Sequence, residues 1–316
     1  MTGVAQQAYV RLAGAFGTAD IDRLLRALAP LDALAQPTIV TVDLHRLGWI
    51  SAPAVAVLVS TLLGLDASGM AAPGSTILAP RRLDVLERLR ELEVLDLLAG
   101  NPPAAALHRL GRGSRPCRRF TAEEEPGEVA QELTDALTEV CRSDGPARNA
   151  IWYALNEITQ NVKDHADAPG GGVAVAEVAR GGTELVVAIA DHGVGIRKSL
   201  ARNPDYRALA SDLEALRTAL LPGVTGRRDS PGGLGLTFTH ILLHGSGGGL
   251  AMRSGTAHLE VGATPAADFH LMRMRGTLVT LRFRTDQPLS LDLILRTTQI
   301  RGAVSTEPGV MPIARR

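Results

Sequence analysis

Apolar positions in the first hundred residues switch between helical spacing and short continuous runs. Ile21, Leu24, Leu25 and Leu28 recur at helical intervals and predict an amphipathic helix from Asp20 to Ala35. Thr38-Ile-Val-Thr-Val-Asp-Leu44 is short and β-branched, the pattern of a strand. Pro53 can open a helix, because the N–H it lacks is unpaired in a first turn, and that helix is expected to reach Ala67. Thr76-Ile-Leu78 reads as a further strand, and Arg81–Leu98 as a helix with a break inside it.

The second half predicts helices at Gly127–Cys141 and Pro146–Ala166, then extended segments at Val173–Ala179 and Glu184–Ala190. A Gly- and Arg-rich stretch leads to a helix near Gly235–His244, and strands fit Leu250–Ser254, His258–Gly262 and Thr277–Arg284. Between the halves, Gly100–Pro116 is rich in Pro, Gly and Arg, the composition of a solvated connection. The expected organisation is a domain at 1–105, a linker at 106–118, a second domain at 119–285 and a tail at 286–316.

Composition narrows the classes of function. At 316 residues with 45% apolar and 21% charged, the chain is long enough for two ordinary cores. Lys+Arg and Asp+Glu are equal at 33, so no bulk field draws it to nucleic acid or an anionic membrane. Aromatics at 3% leave no interleaved basic-aromatic surface for single strands, and no nucleic-acid partner is expected. Trp49 and Trp152 read as core anchors. The longest apolar run, Ala54–Leu65, falls short of the ~20 residues of a membrane span. The N-terminus lacks an export pattern, and Cys117 and Cys141 form no C-x-x-C pair, so the expected setting is the cytoplasm, with no membrane partner.

Four segments carry candidate chemistry. In Leu155-Asn-Glu157-Ile-Thr-Gln-Asn161-Val-Lys-Asp164-His165, helical spacing puts Glu157, Asn161 and Asp164 on one narrow face, beside a sector of Ile151, Leu155, Ile158 and Val162. A carboxylate and an amide one turn apart can hold a metal-bound phosphate and a water; the plain alternative is a solvated polar face. In Val186-Val-Ala-Ile-Ala-Asp191-His-Gly193-Val-Gly195-Ile196, an apolar strand ends in an acid followed by two glycines. An ionised carboxylate accepts hydrogen bonds only, which suits an adenine amino group. A dinucleotide fingerprint is excluded, since Lys198 stands where its third glycine belongs, and no Walker-A sequence occurs. Pro231-Gly232-Gly233-Leu-Gly235-Leu236 opens a helical run whose free N–H groups suit phosphate. Gly276-Thr277 starts the last strand. His240 and His244 are one turn apart but lack the Glu of a zinc-protease motif, and read as ordinary core or surface histidines.

Taken together, these segments resemble the nucleotide-binding boxes of the GHKL superfamily, the group that includes gyrase, histidine kinases and MutL. The resemblance implies a Bergerat-type α/β sandwich, a mixed sheet covered by helices on one face, binding ATP and Mg²⁺. It further implies that Glu157 activates a water or hydroxyl and that Asn161 ligates magnesium; His165, at the end of that helix, is placed either to favour the C-terminal dipole or to approach phosphate. Asp191 would read adenine, Gly193 and Gly195 would shape its pocket, Gly232, Gly233 and Gly235 would bind phosphates, and Thr277 would help hold the base. Residues 197–231, with Gly223 and Gly226, would form a lid. Pro231 and Asp164 depart from the family pattern.

The first half is similar to a STAS domain, the fold of anti-anti-sigma factors, through Val42-Asp-Leu-His-Arg-Leu-Gly-Trp-Ile-Ser51-Ala-Pro53 and Ile77-Leu-Ala-Pro80. Proline at 53 occupies the place of that family's phosphorylated serine; Ser51 is the nearest hydroxyl. The resulting expectation is a two-domain α/β chain, a nucleotide-gated regulator that binds protein partners, with homodimerisation left open. The alternatives are a serine/threonine kinase of the anti-sigma type or a slow ATPase, with Glu157 as general base, and a scaffold with an inactive fold.

Overall fold

The computed structural model describes residues 6–92, 94, 117–121, 123–141, 145–178, 182–227, 233–262 and 266–287. Its first half runs β1 (Gln7–Phe16), α1 (Ile21–Asp32), β2 (Ile39–Ile50), α2 (Ala52–Ala67), β3 (Thr76–Leu78) and α3 (Leu83–Glu91). The three strands form a parallel sheet in the order β1-β2-β3. β1 is unexpected, although Val10, Leu12 and Phe16 are buried between exposed neighbours, the alternation of a half-covered strand. β2 runs six residues past the expected Leu44, because Leu47 and Ile50 continue its buried side.

The second half contains β4 (Cys117–Phe120), α4 (Pro126–Cys141), α5 (Gly145–His165), β5 (Gly172–Val178), β6 (Glu184–Asp191), α6 (Ile196–Leu200), α7 (Asp212–Ala219), α8 (Gly235–Gly245), β7 (Gly249–Gly262) and β8 (Ala266–Arg284). Its five strands are ordered β4-β5-β6-β8-β7. Every pairing in this sheet is antiparallel, so it is not the mixed sheet expected. Short reversals join β5 to β6 and β7 to β8, and a short connection can only return a strand antiparallel. β7 is one strand where two were expected; its register shifts beside Gly255, whose φ of +60° carries the chain through the irregularity. β4 takes the last two residues of the expected 106–118 linker. The rest of that linker, and the expected tail beyond 287, lie outside the described residues.

α2 explains how the halves fit together. Thirteen of its sixteen residues are buried, and a helix apolar all round needs partners on every side. It shares one core with Val10, Leu12, Val42 and Leu44 of the first sheet and with Val173, Val175, Ala188, Ala190 and Leu278 of the second. The second sheet is therefore covered on both faces, against the expected one. Its other face carries Leu185, Val187 and Ile189 under Leu133, Leu137, Ile151, Leu155, Ile158 and Leu242 of α4, α5 and α8. Burial on both sides is why Leu185–Ala190 is continuously apolar rather than alternating.

Small residues permit the close approach. A Cβ on Gly64 of α2 would stand 2.4 Å from His192 Nδ1, and one on Gly170 would stand 2.8 Å from the Gly64 nitrogen. Polar ties add to the shared core. Arg88 donates to the Ile50 carbonyl at 2.9 Å and pairs with Glu177 of β5 at 2.5 Å. The His192 Nε2 lies 2.8 Å from Asp32 Oδ1, and Asp22 pairs with Arg253 while accepting from the Met272 N–H at 3.1 Å. Trp49 is not the core anchor expected: it is 41% exposed, with the Arg88 guanidinium stacked 4.0 Å from its ring centre. Ser51 is buried at the start of α2. Among the described residues no helix is long and apolar enough to cross a membrane.

A core shared across both halves requires that they unfold together. In denaturant titrations of the Trp49→Phe and Trp152→Phe variants, the surviving tryptophan reports the second and first half respectively. Each variant should unfold in one transition to which fluorescence and circular dichroism assign the same midpoint. Fluorescence and circular dichroism midpoints that separate within a variant would contradict the shared core.

Candidate functional site

α5 turns two faces to two neighbours. Leu155 and Ile158 pack into the core, while Glu157, Asn161 and His165 border a cavity on the α5 side of the second sheet. β6 delivers Asp191 to the same cavity, and its neighbour in register, Thr277 of β8, lies beside it. Gly195, Gly233 and Gly235 complete the polar margin, and Ile189, Ile196, Leu200, Leu236, Met252 and Val279 form apolar walls. The enclosed space is about 910 Å³, part of it open to solvent. Eight of the residues singled out in the sequence thus converge: Glu157, Asn161, His165, Asp191, Gly195, Gly233, Gly235 and Thr277. Gly193 lines the opposite side of its turn, and Gly232 lies outside the described residues. Asp164 does not line the cavity; it accepts from Gln160 at 2.7 Å and pairs with Arg227 at 2.9 Å.

The electrostatics separate two carboxyl groups. Asp191 is 4% exposed, and loss of solvent pushes its carboxyl up to about 7, against backbone N–H bonds from Gly193 (2.9 Å to Oδ1) and Thr277 that favour the ionised form. A carboxyl so buried is stabilised in its ionised form only by the hydrogen-bond donors that reach it. Burial also raises Glu157, opposed by a hydrogen bond from Tyr153, whose own phenol is pushed up to about 12 by burial and by Glu157. Gly235 allows Glu157 to lie against the start of α8, since a Cβ there would meet Glu157 Oε2 at 1.7 Å. His165 is lowered by burial first, with Arg227 and Arg202 adding to the effect.

The segment over the cavity contains α6, a 3-10 turn at Pro204–Tyr206 and α7. Leu200, Ala215 and Ala219 make a small apolar cluster, with Val224 and Leu236 packed on it. Asn203 donates to the Thr225 carbonyl at 3.2 Å, the Gly223 N–H to Gly233 at 2.9 Å, and Arg202 pairs with Asp167. Ser254, buried and outside the sequence reading, accepts from the Ile196 N–H at 3.0 Å and donates to the Gly276 carbonyl at 2.9 Å, fixing the Gly195 turn. Tyr153 was also legible, lying one turn before Glu157 on α5; nothing local marks Ser254 or the two arginines.

For a divalent ion the donors are sparse. Among the described residues no group of three or more His, Cys, Asp or Glu could hold a metal, and this includes His240 and His244, whose rings are 5.9 Å apart. Asn161 offers one neutral oxygen, which fits Mg²⁺ held mainly by ligand phosphates and water rather than by a protein cage. The chain matches no protein-family model, and no curated protein matches it significantly.

Burial of Asp191 has a stability consequence of definite sign. Its carboxyl is raised from 3.8 to about 7, so between those values the folded chain holds a proton that the unfolded chain has released, and stability falls as pH rises. Asp191→Asn removes this titration. Relative to wild type, the variant should gain on the order of 2 kcal/mol between pH 5 and pH 8, read from denaturant midpoints. A constant difference across that range would show that the carboxyl is solvated.

Proposed function

We propose that this chain binds ATP with Mg²⁺ in the cavity between α5, β6, β8 and α8, as a GHKL-type regulatory protein whose nucleotide state alters its contacts with protein partners. The convergence of Asn161, Asp191, Gly233, Gly235 and Thr277 on one cavity, at the ends of different elements, carries this reading. Apolar walls beside a polar margin suit a base joined to phosphates. Asp191 would accept from the adenine amino group. The α8 N-terminus and His165 would face the phosphates, where backbone N–H groups and the helix dipole favour negative charge. Asn161 would take one magnesium position. A STAS-like first half packed on the far face of the same sheet supports a signalling role, since α2 and His192 join it to the strand that ends in Asp191.

Calorimetry with ATP and ITP at pH 8.5, where the raised Asp191 carboxyl is ionised, tests the base assignment. ITP presents a carbonyl where adenine has its amine, and an ionised Asp191 cannot donate to it. Wild type should prefer ATP by about tenfold, and Asp191→Asn should lose most of that preference while keeping its circular dichroism spectrum. Equal affinity of wild type for the two nucleotides would remove Asp191 from base recognition.

One observation favours a catalytic alternative, a slow ATPase or a serine/threonine kinase. Glu157 is half-buried and its carboxyl is raised by that burial, which makes the carboxylate a better acceptor of a proton from a water or hydroxyl. Glu157→Gln keeps the shape and removes the base. Phosphate release should drop about a hundredfold with ATP affinity little changed. Turnover that survives the substitution would leave nucleotide binding as the sole activity of the cavity.

A further inference from the structure

Behind the Gly193–Gly195 turn lies a second and wider opening, between α1 of the first half and the α6–β8 surface of the second. It spans about 1700 Å³ of space that includes open solvent, against about 910 Å³ for the first cavity on the same measure. Its charges are unequally committed. Asp32 is engaged by His192 and Asp167 by Arg202, while Asp212 accepts from the Thr256 N–H at 2.9 Å and its hydroxyl at 3.1 Å. On the basic side, Arg197 donates to the Leu209 carbonyl at 2.8 Å. Lys198, Arg273 and Arg275 line the same groove, are exposed, and have no hydrogen bond or ion pair among the described residues. Three cations are thus available where every carboxylate is occupied.

We propose that this groove binds an acidic peptide segment of a protein partner. Acidic side chains would meet Lys198, Arg273 and Arg275, and apolar ones would meet Met272 and Pro169, which line the same groove. A free phosphate or triphosphate would occupy only a small part of the space and leave those apolar positions uncovered. Gly195 lines both openings, so a ligand in the nucleotide cavity that moves this turn changes the groove as well. Only that gating rests on the nucleotide reading; the charge pattern stands without it.

Fluorescence anisotropy with a labelled decapeptide alternating glutamate and leucine, without nucleotide, tests the groove. A lysine–leucine counterpart is the control. The acidic peptide should bind at least about tenfold more tightly than the basic one and weaken with added salt. Replacing Lys198, Arg273 and Arg275 together by serine should weaken it about tenfold. The same triple variant should keep the wild-type circular dichroism spectrum and denaturant midpoint, which shows that its fold is intact. Equal binding of the two peptides, or a triple variant that binds the acidic peptide as wild type does, would overturn the proposal. So would inorganic triphosphate binding that depends on the three cations while the peptide fails to bind. Peptide binding in a protein that takes no ATP would uphold the groove and sink the nucleotide reading.

Discussion

Everything in the candidate site depends on a strand buried on both faces that ends in a carboxyl group. β6 lies between α5 on one side and α2 on the other, so Asp191 at its end is cut off from water by the same packing that stabilises the core. Removing that solvent raises the carboxyl far above its usual range and makes its ionisation depend on an incoming donor. An apolar strand with an acid at its tip is costly, and titratable groups perturbed this strongly cluster at functional sites.

The same packing removes independence from the two halves. Had α2 been amphipathic, it would have covered the first sheet and left the second sheet's far face to solvent. Because it is apolar all round, it fills the space between the sheets, and Ala188, Ala190 and Gly64 make that approach short. His192 then sits against Gly64 and beside Asp32, one residue from Asp191. A change at the end of β6 therefore has a direct mechanical route into the first half, through packed side chains and one hydrogen bond.

The segment from α6 to Arg227 is tied to the sheet at three places. Leu216 enters the second core, Asp212 accepts from the Thr256 N–H and hydroxyl, and the Ile196 N–H donates to Ser254. Two arginine–aspartate pairs add at the surface, where such pairs contribute little individually. Glu157 is wedged against Gly235 at the start of α8 and is held by Tyr153.

Local sequence determined the elements that rest on periodicity. The helix carrying Glu157 and Asn161, the apolar strand ending at Asp191 and the glycine-led start of α8 all lie within a few residues of where spacing puts them, because one-turn and two-residue repeats are written in neighbouring positions. Much of the order of helices and strands follows from the same source, but β1, β4, α6 and α7 do not, and β7 is one strand where spacing marks two. What local pattern could not decide was which surfaces meet. The all-round burial of α2 is visible in its composition, but its second partner is a sheet more than a hundred residues later in the chain. Antiparallel closure of the second sheet, the exposure of Trp49 beneath Arg88, and the unpaired cations of Lys198, Arg273 and Arg275 likewise depend on long-range neighbours. A side chain's hydrogen-bond partners and its access to water are properties of the packed state, and only the tertiary structure contains them.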